Sequence, residues 1–253
     1  MRAELRATAL GRTGYLDGWR LQEAVATRLV AGGPERLLLL EHDPVYTIGR
    51  RGTLDHLVAS PGELRAAGAS VYRVDRGGDI TFHGPGQLVG YPILSLGDAP
   101  DVVAYVRALE DGLRAALADF GIGSRTIDGK TGVWVRLPDG RDAKIAAIGV
   151  RVSRGVTRHG FALNVDTDLA GFTRMIPCGF MHEVGSFARL GVAATIADVA
   201  GVCAARISER LDRTLIWDAT IAAPLDEEIP ANAPVRGAED LLAAVAAKRR
   251  ADP

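Results

Sequence analysis

Several things are scarce in this 253-residue chain, and each scarcity excludes something. It holds two cysteines, Cys178 and Cys203, 25 positions apart. Two thiols cannot build a disulfide scaffold, and this spacing is neither CxxC nor that of a zinc site. No apolar run approaches the roughly 20 residues of a membrane helix. Residues 1–14 mix charged and small side chains without a signal-peptide core. A reducing cytoplasm is therefore the expected compartment. Charge of one sign is missing as well: 30 basic residues face 31 acidic ones, which leaves no global attraction to nucleic acid or to an anionic membrane. Lysine is rare, with Lys130, Lys144 and Lys248 set against 27 arginines. No His-Glu-x-x-His or comparable ligand spacing occurs, so no metal is expected.

What is present reads as alternating helices and strands. Residues 3–10 alternate loosely, as an edge strand would. Leu16, Trp19, Leu21, Val25 and Leu29 give 15–30 a helical period, which Gly32-Gly33-Pro34 ends. The four leucines within 36–41 suit a buried strand. Val102, Val106, Leu109, Leu113, Leu117 and Phe120 predict a helix over 101–120. Short strands are expected within 71–96 and over 132–137, 143–152 and 156–165, and a helix over 195–211. From residue 221 the composition turns proline- and alanine-rich, with a short helix expected over 238–250. The pattern predicts an α/β (α+β) domain, a mixed sheet flanked by helices, over 1–220, with a tail over 221–253.

The densest feature is the run from Arg76 to Gly90, in which five of fifteen residues are glycine. Glycine allows positive φ and close backbone approach to a ligand, although a pair of hairpin turns is the commoner reason for such a run. It lacks the spacing of a dinucleotide fingerprint, and no Walker sequence occurs. In the strand 143–152, alternation sets Lys144 on one face with Ala146, Ile148, Val150 and Val152. An ammonium there is partly desolvated, which favours a neutral amine. Cys203 falls on the apolar stripe of the helix over 195–211 and reads as core. Cys178, in Pro177-Cys178-Gly179, falls outside any period on a tight loop, where nucleophiles are displayed. His83 and His159 belong to glycine-containing strand ends; His42, His56 and His182 read as loop residues. Lys130 and Lys248 read as surface residues. Arginines at 50, 51, 73, 76, 151, 154 and 158 are candidates for a local basic surface.

Together, Arg76–Pro92 (RGGDITFHGPGQLVGYP), Lys144–Arg151 (KIAAIGVR), His159–Asn164 (HGFALN) and Pro177–Gly179 resemble the signature of the lipoyl(octanoyl) transferases, and Glu41–Arg51 fits too. The resemblance implies the fold of biotin and lipoate protein ligase catalytic domains. It also implies transfer of an octanoyl group from acyl carrier protein to a specific lysine of lipoyl domains, those of 2-oxoacid dehydrogenases and of the glycine-cleavage H protein, without a cofactor. It assigns catalysis to Cys178 and Lys144. Octanoyl binding falls on Arg76, Gly77, Gly78, Asp79, Ile80, Thr81, Phe82 and His83, on Ala147, Ile148 and Gly149, and on Gly160, Phe161 and Ala162. Apolar positions around Ile148, Phe161 and Leu163 are the expected acyl walls, and amides of the glycine-rich run the expected oxyanion donors. The rival readings are an ATP-dependent ligase of the same fold and a non-catalytic acyl-binding protein.

Overall fold

The four consecutive leucines of Glu35–His42 (β2) alternate between two cores: Leu37 and Leu39 enter one apolar cluster, Leu38 and Leu40 another. A strand buried on both faces needs no polar alternation, which is why this run carries none. The computed structural model describes residues 2–176 and 183–220. Its other elements are Ala3–Thr13 (β1), Tyr15–Val30 (α1), Val45–Ile48 (β3), Pro61–Ala66 (α2), Ser70–Arg73 (β4), Ile80–His83 (β5), Gln87–Ile93 (β6), Val102–Asp119 (α3), Ser124–Ile127 (β7), Lys130–Arg136 (β8), Asp142–Ser153 (β9), Val156–Asn164 (β10), Glu183–Val184 (β11), Ile196–Arg210 (α4) and Arg213–Trp217 (β12). The expected helix over 238–250 lies outside the described residues.

The large mixed sheet runs β12-β1-β2-β6-β10-β9-β8-β7, with β11 added parallel to β9. β1 pairs in parallel with both β12 and β2, and the strands from β2 to β7 are antiparallel to their neighbours. The expected edge position of β1 is thus corrected: β12, unforeseen after the last helix, covers it. A second sheet, β4-β3-β5, carries its own cluster of Tyr46, Ile48, Leu64, Val71, Ile80 and Phe82.

Helices α3 and α4 bury one face of the large sheet through Leu109, Leu113, Leu117, Val199, Cys203 and Ile207. They approach closely at Gly112, where a Cβ would stand 2.9 Å from the Ile207 side chain. Asp101 caps α3 by accepting from the Ala104 amide at 2.8 Å, and Thr195 with Asp198 forms a capping box on α4. On the opposite face α1 packs Leu21 and Val25 against Leu38, Leu40, Val89 and Ala162. No helix among the described residues is long and apolar enough to cross a membrane.

Candidate active site

The glycine-rich run is a crossover between the two sheets, not a pair of hairpins. β4 and β5 both pair with β3 rather than with each other, and β6 belongs to the large sheet. The loop between β4 and β5 is stapled from both sides. Arg76, buried, donates through Nη2 to the Thr47 carbonyl at 2.6 Å and hydroxyl at 2.9 Å, and through Nη1 to the Gly77 carbonyl at 2.9 Å. The Arg50 and Arg51 amides donate to the carbonyls of Arg76 and Gly78, each at 3.1 Å. Of the amides expected to serve an oxyanion, Gly77's donates to Val150 at 2.9 Å and Ile80's to its neighbour's carboxylate, Asp79 Oδ1, at 2.7 Å. These two amides therefore brace the loop. Asp79 also lies 2.6 Å from His56 Nδ1. The turn before β6 is pinned where Glu41 accepts from the Gly86 amide at 2.6 Å.

A cavity of about 1050 Å³ lies against this loop. Its walls include Arg76, Gly77, Gly78, Asp79, Ile80, Thr81 and His83, then Ala147, Ile148 and Gly149, then Gly160, Phe161 and Ala162, together with Lys144. Three stretches far apart in sequence converge because β9 and β10 pair residue by residue, Ala147 with Ala162 and Gly149 with Gly160. Of the fourteen binding candidates only Phe82 stays out. It packs against Tyr46 and Phe172 in the core of the small sheet, since strand alternation turns it away from its neighbours Thr81 and His83. Leu163 likewise is core, not cavity wall.

Lys144 does not share a face with Ala146, Ile148 and Val150. The β8–β9 pairing slips there: Trp134 pairs with Lys144 and Val133 with Ala146, leaving Ile145 as the extra residue of a bulge. Ile145 and Ala146 therefore both enter the α3/α4 core, and Lys144 turns to the opposite face, beside Trp134. Its Nζ lies 4.8 Å from the Trp134 ring centroid, and its stem passes over Gly132. Gly132 has φ +118° and gives its amide to buried Glu110 at 2.8 Å. A side chain at 132 would meet both the Ala146 carbonyl and the lysine stem.

Deeper in the cavity the walls are aromatic. Tyr15 and Tyr91 line it, and the Tyr91 hydroxyl meets His42 Nε2 at 2.7 Å. His42 is thus a buried strand residue, not a loop residue. Burial depresses its pKa to about 4 and that of His83 to about 3, so both are neutral imidazoles. His159 is also depressed by burial, against the opposing pull of Asp75, which meets its Nε2 at 2.8 Å. His83 Nδ1 meets Gln87 Oε1 at 2.7 Å; Gln87 donates to Asn164 Oδ1 at 2.8 Å; Asn164 donates to the Gly185 carbonyl at 3.0 Å. Because a carbonyl closes this chain, every donor is fixed, and His83 carries its proton on Nδ1.

The arginine candidates divide. Arg158 pairs with Glu23 and Asp75, and Arg151 with Asp75, so these are internal braces. Arg50 and Arg51 are exposed, and Arg51 lines the cavity. Lys130 is exposed but also lines the cavity, unlike a plain surface residue. Tyr15, Tyr91, Trp134 and Glu110 escaped sequence reading. Two of them had a signal there: Tyr91 belongs to the Arg76–Pro92 motif, and Trp134 is an aromatic in the strand preceding Lys144. Cys178, His182 and Lys248 lie outside the described residues. Among the described residues no cluster of His, Cys, Asp or Glu fits a metal ion.

The family model of the lipoyl protein ligase A/B catalytic domain matches residues 14–208. An octanoyltransferase of Mycolicibacterium smegmatis is 47% identical over 209 residues, covering 81% of this chain and 89% of that protein. One of Mycobacterium tuberculosis is 46% identical over 226 residues, covering 88% and 91%. Among solved structures, a bi-partite lipoate protein ligase of Thermoplasma acidophilum is similar in fold, with a TM-score of 0.73 at 18% identity over 99% of this chain and 93% of that one. A lipoate-protein ligase A bound with ATP gives 0.71 at 18% identity over 98% and 95%.

Proposed function

Since the chain belongs to the lipoyl protein ligase A/B catalytic-domain family, with octanoyltransferases as its relatives, we propose that it moves an octanoyl group from octanoyl-acyl carrier protein to a specific lysine of lipoyl domains through a thioester on Cys178. The observation that carries this reading is the cavity itself, where the glycine-rich loop, Ala147–Gly149 and Gly160–Ala162 converge beside Lys144. A thioester is already activated, so transfer needs a nucleophile and a proton carrier rather than ATP.

In the proposed sequence Lys144, as a free amine, takes the proton of the Cys178 thiol. The thiolate attacks the thioester carbonyl; the carrier thiolate departs and takes that proton back from Lys144. The acceptor lysine then attacks the acyl-enzyme and loses its proton to Lys144, which returns it to Cys178 as the amide forms. Arg76 adds fixed positive charge near the acyl site, and the neutral histidines keep the wall from competing for protons. Exposed Arg50 and Arg51 suit docking of acidic carrier and acceptor domains.

The test is intact-mass analysis after mixing the protein with octanoyl-acyl carrier protein and no ATP. An octanoyl adduct that maps to Cys178 and chases onto a lipoyl domain is expected. Transfer that requires ATP points to the ligase reading, and transfer undiminished in Cys178→Ala overturns the thioester.

A further inference from the structure

Only three lysines occur in the chain, and two of them converge on one aromatic ring. Lys144 Nζ stands 4.8 Å and Lys130 Nζ 5.6 Å from the Trp134 ring centroid. The indole is fixed: it is buried, and its Nε1 donates to the Lys130 carbonyl at 3.2 Å, tying the ring to the start of β8. Its π face attracts each ammonium. Lys130 is exposed and also lines the cavity.

We propose that Lys130 is a positioning residue: its charge, held by the Trp134 indole, disfavours a second ammonium at Lys144 and so keeps more of Lys144 as the free amine. This rests on the role given to Lys144 above. The ring alone works in the opposite sense, because it favours the charged form of whichever lysine it touches. Lys130 supplies the counterweight.

Among the described residues, the acidic groups on the elements packed around Lys144 have basic partners of their own. On α3, Glu110 is paired with Arg107 at 2.6 Å. On β11, Glu183 is held by Arg141 and by Arg189. On β9, Asp142 is paired with Arg125 and with Arg136 at 3.4 Å, and Lys130 adds to the pull that lowers its pKa. From the glycine-rich loop come Asp79, opposite His56, and Arg76, whose positive charge acts in the same direction as that of Lys130. His83 and His159, on the same cavity, have their pKa values depressed by burial.

The scarcity of lysine makes the test direct. In protein labelled with ¹³C at lysine Cε, three signals suffice, and each is assigned by substitution. Titration in a Cys178→Ala background keeps the thiol from titrating as a unit with Lys144. Relative to that background, Lys130→Met is expected to raise the Lys144 midpoint by about half a pH unit, and Lys130→Arg to leave it in place. Because Lys130 is exposed, 1 M salt should shrink the difference. Superimposed Lys144 titrations in all three proteins overturn the inference, as does a shift that salt leaves untouched, which would mark a packing change. The measurement reads no turnover, so its failure is separate from failure of the acyl-transfer reading, which Lys144→Ala tests through transfer itself.

Discussion

The carboxamides of Gln87 and Asn164 meet at 2.8 Å inside the core, Gln87 donating and Asn164 accepting. Each then reaches outward, Gln87 to His83 and Asn164 to the Gly185 carbonyl. The Gly185 amide in turn donates to the Lys144 carbonyl at 3.0 Å. The cavity wall formed by the glycine-rich run is thereby tied to the backbone of Lys144 through Gln87, Asn164 and Gly185, from three separate stretches of the sequence.

Asn164→Leu removes the middle of this chain and leaves a buried donor on Gln87 and a carbonyl at Gly185 without their partner. Unsatisfied buried groups cost about 1–3 kcal/mol each. The variant should lose at least about 2 kcal/mol in urea denaturation. Octanoyl transfer should fall further than the folded fraction does, because Lys144 and His83 lose their common tie. A variant with wild-type stability and rate would show the chain to be incidental.

The buried histidines set an acid limit. In the fold His42 titrates near pH 4 and His83 near pH 3, while unfolded histidine titrates near 6.5. Both contribute their full stability above about pH 6.5. Below it the unfolded chain takes up protons that the folded chain refuses, so stability falls by about 1.4 kcal/mol per pH unit for each histidine until the folded values are reached. Unfolding midpoints measured between pH 6.5 and 4 should drop accordingly. His83→Gln, which keeps a polar group beside Gln87, should flatten the slope by about one proton. An unchanged slope would contradict a neutral buried His83.

How much of this was readable in sequence depended on whether the signal was local. The helices α1, α3 and α4 fell within a residue or so of their expected bounds, because period and caps lie within each segment. The short strands β3 and β7 were missed, having four residues each and no internal period. β12 was missed because only its pairing with β1 defines it, and that same pairing moved β1 from edge to interior. The cavity candidates were identified through family motifs, and thirteen of fourteen line one cavity. Facing was less legible. Alternation misplaced Lys144 because a bulge at Ile145 is set by the partner strand, and nothing in the residues 143–152 announces it.

Glycine at two sheet positions is required by close approach. A Cβ on Gly160 would stand 2.2 Å from the Gly90 carbonyl, and one on Gly90 would stand 2.2 Å from the Phe161 ring. Neither neighbour is a flexible chain end. Gly160→Ala should therefore force β6 and β10 apart, with a stability loss of about 2 kcal/mol or more, and distort the wall that Gly160–Ala162 gives the cavity. Gly201→Ala makes a fitting control: among the described residues no atom beyond its chain neighbours and its own helix backbone lies within 4 Å of its Cβ position, and alanine favours a helix interior. Its thermal midpoint should hold or rise. Equal behaviour of the two variants would refute the close approach.

The two cysteines should separate by reactivity. Cys203 is fully buried on α4 between the helices and the sheet, and burial pushes its thiol up to about 12. At pH 7.5 it is neither ionised nor reachable, and a thiolate is the reactive form. A charged disulfide reagent added to the native protein should therefore modify a single thiol, which peptide mapping places on Cys178. The second should react only as the chain unfolds, at a rate that follows denaturant concentration. Cys203→Ala deletes one buried sulfur and should lower stability by about 1–2 kcal/mol while leaving acyl-adduct formation intact. Prior loading with octanoyl-acyl carrier protein should protect the fast thiol if that thiol is the acyl carrier. Fast labelling of Cys203 in native protein would contradict its place in the core, and a fast thiol that loading fails to protect would count against Cys178 as the acyl-bearing residue.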